Sequence, residues 1–269
     1  MRASAHLTVA RARDTARTQI VRLHSEPPLV LRPTHPAGPE PLRRWHVPGL
    51  VPARVSLVAG AAGPVGGDEL CLSIEVASGA ALVLRSVAAT LALPGPHGRP
   101  SRSEVTVRVA AHGVFVWLPG PLIAARGCCH HAVTRVMLEP GARLLLREEL
   151  LLGRHAEPPG AARQRLRVCL GDRPLHDQEL AVGPGAAGWD GAAVAGGRRA
   201  LGSVLIVDPD WGDNPVNLPA PAAATDTALL PLGGPAVLVT ALAGDGLALR
   251  HRLDAGLAVL EASLPRVRS

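Results

Sequence analysis

Four stretches of this chain carry residue types that could do chemistry. Cys128-Cys129-His130-His131 sets two thiols beside two imidazoles, good ligands for soft or borderline metal ions. If the run is a strand, neighbours point to opposite faces, so Cys128 pairs with His130 and Cys129 with His131. No face then offers more than two ligands, which leaves either no site or a transient one at Cys128 and His130. Glu148-Glu149 sits between Leu144-Leu145-Leu146-Arg147 and Leu150-Leu151-Leu152-Gly153-Arg154. Carboxylates flanked by leucines must reach the surface or be paired when buried. Arg147 or Arg154 can supply the pairing, and a polar passage through an apolar body is the functional alternative. Gly66-Gly67-Asp68 reads first as a tight turn whose Asp caps exposed amides, and second as a functional carboxylate. Asp208-Pro209-Asp210-Trp211-Gly212-Asp213-Asn214 has the residues of a calcium loop, but its Gly falls one place early for an EF-hand, so a turn is the better reading.

A fifth stretch, Trp117-Leu118-Pro119-Gly120-Pro121-Leu122-Ile123, is rigid, extended and partly apolar. It is either a packed Trp ending a strand or an exposed ledge for a partner, with Trp117, Pro119 and Pro121 as contacts. The chain has no Gly-x-Ser-x-Gly elbow, no Walker sequence and no Gly-x-Gly-x-x-Gly after a strand, which counts against an enzyme.

The elements that must position these residues are strands. Leu70, Leu72, Ile74 and Val76 alternate with polar neighbours, as do Val105, Val107 and Val109, and Leu166, Val168 and Leu170. Ser78-Gly79, Pro140-Gly141 and Gly171-Asp172-Arg173-Pro174 supply turns between such runs. Helical crossovers of an α/β fold have no room here. The prolines from Pro27 to Pro52 mark extended edge or loop. Ile74 to Leu84 is echoed by Val136 to Leu146, each copy being strand, tight turn, Gly-Ala, strand. The echo points to stacked two-strand units: an all-β, layered, solenoid-like body of antiparallel or mixed sheet. Gly183 to Gly197 reads as loop, Leu201 to Val207 as an apolar strand or the start of a buried helix, and 219–227 as a linker. Apolar residues at 249, 253, 257 and 260 predict a helix over 247–260, the small helical part near the C-terminus. The whole, 1–269, reads as a single domain.

Composition limits the function classes. The chain has 269 residues, enough to bury a core without disulfides or metal, and 47% of them are hydrophobic. A net charge of +6 with pI near 10.6 invites a nucleic-acid reading, but the aromatic residues that stack bases make up only 2%. The arginines are scattered apart from pairs such as Arg43-Arg44 and Arg198-Arg199. A basic surface that meets acidic protein partners fits as well. Cys71, Cys128, Cys129 and Cys169 form no Cys-x-x-Cys unit or secreted framework. Met1 to Arg17 lacks the apolar core of a signal peptide, and the apolar tract 228–249 is too interrupted to span a membrane. The expected location is the cytoplasm, with reduced thiols and neither nucleic acid nor membrane as partner.

Four blocks then stand in the order of a known family. They are Pro27-Pro28-Leu29-Val30-Leu31-Arg32-Pro33; Gly66-Gly67-Asp68 followed by Gly79-Ala80 and Ala88-Ala89-Thr90; the Trp117 to Ile123 stretch; and Leu144 to Arg154 with Glu148-Glu149-Leu150. Together they resemble the urease accessory protein family UreD, called UreH in some organisms, best over 27–182. The resemblance implies a non-enzymatic protein that binds urease apoprotein, forms a scaffold with the accessory protein UreF, and receives the nickel-carrying GTPase UreG. It implies an internal route for nickel to the urease site, with no permanently bound cofactor and only transient nickel. Carried over by motif, Asp68, Ser86, Glu148 and Glu149 are the candidates for that route. The chain departs from the family pattern at Arg85, Val87, Val116, Gly120 and Arg147. A β-solenoid or sandwich that binds carbohydrate or another small ligand is the alternative reading. A hydrolase using Asp208, Asp210 or Asp213 with a nearby His is the third.

Overall fold

The computed structural model describes residues 1–13, 15, 17–36, 50–213 and 226–262. The alternation read from the sequence becomes two facing sheets. The first contains β1 (Arg2–Arg11), β2 (Thr18–Ser25), β5 (Glu69–Val76), β8 (Ser101–Val109), β11 (Cys129–Leu138), β13 (Ala161–Leu170) and β14 (Arg173–Val182), in the order β14-β13-β11-β8-β5-β1-β2. The second contains β3 (Leu29–Pro33), β4 (Ala53–Ala59), β6 (Ala81–Ser86), β9 (Val114–Leu118), β12 (Arg143–Leu151), β15 (Ala200–Val207), β16 (Thr227–Pro231) and β17 (Ala236–Ala243), in the order β16-β17-β15-β12-β9-β6-β4-β3. Two short strands, β7 (Thr90–Ala92) and β10 (Leu122–Ala124), pair with each other, and β10 also pairs with β12.

Most of the interior pairing is parallel: β1, β5, β8, β11 and β13 in one sheet, and β4, β6, β9 and β12 in the other. Parallel strands need a long crossover, which in α/β folds is a helix. Here the crossover from β5 to β8 runs through β6 and β7, and that from β8 to β11 through β9 and β10. Each return path is itself a strand of the facing sheet, so the fold is a stack of coils and is mostly β, as the echo predicts. Antiparallel pairs close the ends, among them β1 with β2, β13 with β14, β12 with β15, and β15 with β17.

The echo has a third copy that the sequence hides. Gly79 and Gly141 take positive φ, 64° and 82°, at the corner between the two sheets, and His112 takes 59° at the corresponding corner between them. All three corners close with the same backbone bond: Ala80 N–H to Ala77 O at 3.1 Å, Gly113 N–H to Ala110 O at 2.9 Å, and Ala142 N–H to Glu139 O at 3.0 Å. A left-handed histidine lacks the glycine signature, and the middle coil was invisible for that reason.

Between the sheets lies a core that includes Leu7, Ile74, Leu82, Leu84, Val107, Phe115, Trp117, Leu144, Leu146 and Leu205. The outer face of the second sheet is also apolar and is covered by the helix α1 (Gly246–Ala262), which matches the predicted 247–260. Leu249, Leu253 and Leu260 of α1 pack on Val204, Ile206, Val237 and Val239. Gly256 lets the helix approach closely, since a Cβ there would come within 2.6 Å of Val239 Cγ1. Leu201 to Val207 is strand, and 183–197 is a run of turns and bends that lead into it. Of the predicted linker, 219–225 lies outside the described residues, and Thr227 already begins β16. Arg43-Arg44 also lies outside them. Among the described residues, no helix is long and apolar enough to cross a membrane.

Candidate functional site

Strand register lines side chains up across paired strands, so the interior of the stack can be read as rows. In the second sheet Leu146, Leu205 and Leu238 form one row, and Leu150, Leu201 and Leu242 another. The row between them is polar: Glu148, Ser203 and Thr240. Opposite, the first sheet contributes Gln164 on β13 and Gln178 on β14. These residues line a cavity of about 400 Å³ with Asp226, which binds Arg198 and Arg252, on the same wall.

Glu148 is the charged residue of the polar row. Loss of hydration pushes its carboxyl up from 4.5 to about 7. Among the described residues no cation pairs with it, and desolvation acts alone. A carboxyl in this condition releases its proton when a cation arrives, and its oxygens are hard donors suited to weak, exchangeable binding of a divalent ion.

Glu149 points the other way, under α1. Its side chain is fully buried and takes a two-pronged bond from Arg250, Nε to Oε1 at 3.2 Å and Nη2 to Oε2 at 2.9 Å. Arg147 stands 3.6 Å from the same carboxylate and also pairs with Asp254 of α1. Arg147 therefore does the pairing that the sequence allows for, but with Glu149 alone. Arg154 goes elsewhere: it forks onto Glu157, whose carboxyl it holds down at about 2, chiefly through the side-chain hydrogen bond.

The other candidates fall outside this cavity. Asp68 is buried and accepts from the N-terminal ammonium of Met1 at 2.7 Å and from Val65 N–H at 2.8 Å, so it ties the chain start to its turn. Ser86 accepts from Gly120 N–H at 2.6 Å and donates to Ala88 O at 2.9 Å. It thereby braces the loop that carries Pro119 and Pro121, which are half-buried and line a second hollow with Arg85, Arg147 and Arg250. Trp117 is 6% exposed and belongs to the core between the sheets. The alternation expected for Cys128 to His131 is present: Cys128 and His130 are buried, while Cys129 and His131 are half-exposed with Sγ and Nε2 4.0 Å apart. Burial drives the Cys128 thiol up to about 11 and His130 down to about 4, so both are neutral, and His130 Nδ1 bonds Ser101 Oγ at 2.9 Å. Among the described residues, no three His, Cys, Asp or Glu side chains cluster as a metal site. Asp208 and Asp210 engage Arg143, Asp208 capping a single 3-10 turn over Pro209–Trp211.

Gln164, Gln178, Ser203, Thr240 and Arg250 are the residues of this region that sequence reasoning missed. A signal for three of them was present. Ser203 interrupts Leu201, Leu205 and Val207, Thr240 interrupts Leu238 and Leu242, and Gln164 interrupts Ala162, Leu166 and Val168, each in the apolar phase of its strand. A polar residue in the buried phase marks an interior polar site. Arg250 gives no such signal, because its partner lies 101 residues away.

The sequence profile of the UreD urease accessory protein family matches residues 2–269. Among curated proteins the chain is similar to urease accessory protein UreD 3 of Streptomyces griseus, 50% identical over 81% of this chain and 85% of the relative. It is similar to urease accessory protein UreD of Streptomyces avermitilis, 46% identical over 94% of this chain and 100% of the relative. The UreD of Streptomyces coelicolor is 42% identical over 97% of each chain.

Proposed function

The chain belongs to the UreD urease accessory protein family, and from that premise we propose that it works in the cytoplasm as a non-enzymatic scaffold that binds urease apoprotein with the accessory proteins UreF and UreG, and that nickel passes to urease by way of the Glu148 cavity. The observation that carries the cavity's part in this reading is the unpaired interior carboxyl of Glu148, set in a polar row between two rows of leucine. An interior carboxylate without a partner costs stability, and a carboxyl perturbed in this way inside a cavity is a candidate for function. Ser203, Thr240, Gln164 and Gln178 supply further oxygen donors along the wall, none of them a tight ligand, which suits passage better than storage. Nickel is the cargo here and not a resident cofactor.

Among the described residues, no aromatic side chain lines the cavity, which takes away the stacking platform of a sugar-binding site. The test of the accessory role is deletion of the gene in its own host followed by complementation. Urease activity is expected to fall on deletion at limiting nickel and to return with the wild-type chain. Full activity in the deletion strain without added nickel would overturn the scaffold reading.

A further inference from the structure

The outer face of the first sheet is open to solvent, and its charge is unevenly distributed. On β8, β11, β13 and β14 the register sets six arginines (Arg102, Arg108, Arg135, Arg163, Arg165 and Arg167) against three carboxylates, Glu104, Asp177 and Glu179. Arg163, Arg165 and Arg167 occupy successive outward positions of β13, roughly 7 Å apart along the strand. A groove of about 250 Å³ runs beside them, with His131 and Arg135 on its other wall. Burial first, then the charges of Arg102 and Arg163 with Glu179 opposing them, hold the His131 imidazole below its ordinary range.

The edge strand β14 shows what this ladder accepts. Asp177 forks onto Arg165, Nε to Oδ1 and Nη2 to Oδ2 both at 2.9 Å, and Glu179 meets Arg163 at 3.1 Å. These are carboxylates at alternate positions of an extended segment. The ion pairs are exposed, with Arg163, Arg165 and Arg167 side chains 56%, 47% and 52% accessible. Such pairs are weak and exchange readily. Arg102 and Arg108 stand at the β5 side of this surface, opposite Glu69 and Glu75 in the register, and those glutamates bond Arg2 and Thr8 in turn.

We propose that this groove docks an extended acidic segment of a partner protein, with carboxylates at every second residue set against Arg163, Arg165, Arg167 and Arg135. The surface lies outside the Glu148 cavity, and its reading does not depend on nickel transfer. Protein is favoured over nucleic acid because β8, β11, β13 and β14 carry no Phe, Trp or Tyr on which bases could stack.

The probe is a fluorescent peptide of alternating Glu and Thr, with an oligothymidylate of equal charge as the contrasting ligand. The peptide is expected to bind the full chain at low salt and to weaken roughly tenfold at physiological salt. Arg163→Glu, Arg165→Glu and Arg167→Glu together abolish binding. Asp177→Asn with Glu179→Gln removes the internal competitors and tightens binding about threefold or more, a gain that misfolding cannot imitate. No peptide binding at low salt, tighter binding of the oligothymidylate, or an unchanged affinity in the Asp177→Asn, Glu179→Gln variant each overturns the proposal.

Discussion

Glu148 and Glu149 are adjacent in the chain and opposite in circumstance. One faces the interior between the two sheets, the other the layer beneath α1. Glu149 is the more deeply buried, yet its charge is met by Arg250 and Arg147 and it holds the helix to the sheet. Among the described residues Glu148 has no cation, and its proton affinity rises instead. The pair teaches that burial does not identify a functional carboxylate. What separates the two is whether the fold supplies a partner, and the strand's alternation decides that within one peptide unit.

The largest expected effect breaks the paired side. Glu149→Ala leaves Arg147, half-buried beside α1, with Asp254 as its remaining partner, and unfolding stability should drop by about 3 kcal/mol. Chemical denaturation measures it, and a loss under about 1 kcal/mol would mean that the helix clamp is idle.

The next effect has the opposite sign and belongs to Glu148. Its folded-state pKa, about 7, lies above the ordinary 4.5, so the fold binds the proton more tightly than the unfolded chain does. The contribution of Glu148 to stability is therefore full below about pH 4.5, declines as the pH rises to about 7, and is absent beyond. Glu148→Gln keeps the shape without the charge. It should be neutral near pH 4 and stabilising by on the order of 2 kcal/mol near pH 8. Equal stability of the two proteins at both pH values would place Glu148 in ordinary solvent. Nickel transfer by the wild-type chain should correspondingly quicken between about pH 6 and pH 8, as the carboxyl sheds its proton more easily.

A smaller effect tests the row itself. Thr240→Val removes one hydroxyl, which bonds Gly202 O at 3.3 Å, and should shift stability by less than about 1 kcal/mol. With Ser203→Ala it is expected to slow nickel transfer only slightly, because the carboxylate is the principal donor.

The fold was legible where polarity alternated, and the turn glycines Gly79 and Gly141 disclosed the stacking. The coil between them stayed hidden behind His112, which adopts a glycine-like corner without being glycine. That the interior pairing is parallel was hidden too, because strand runs joined by short turns look the same whether the chain folds back on itself or crosses to a facing sheet. Of the site, the carboxylates could be found because charge inside a leucine run is conspicuous. Their separation into two roles could not, since it rests on Arg250 from α1 and on glutamines from the opposite sheet. Contacts of that range leave no local pattern. Asp68, by contrast, is read correctly as the cap of its turn, because the capping geometry is local.

The most direct test compares matched variants at limiting nickel. Urease is matured with the wild-type chain, with Glu148→Gln and with Glu149→Gln, and its nickel content is measured after the assembled complex has been verified by co-purification. Glu148→Gln is expected to assemble normally and to lower nickel content about tenfold, while Glu149→Gln lowers it only in proportion to the folded complex recovered. Full nickel content with Glu148→Gln, in a complex that assembles normally, would contradict passage through the interior carboxylate.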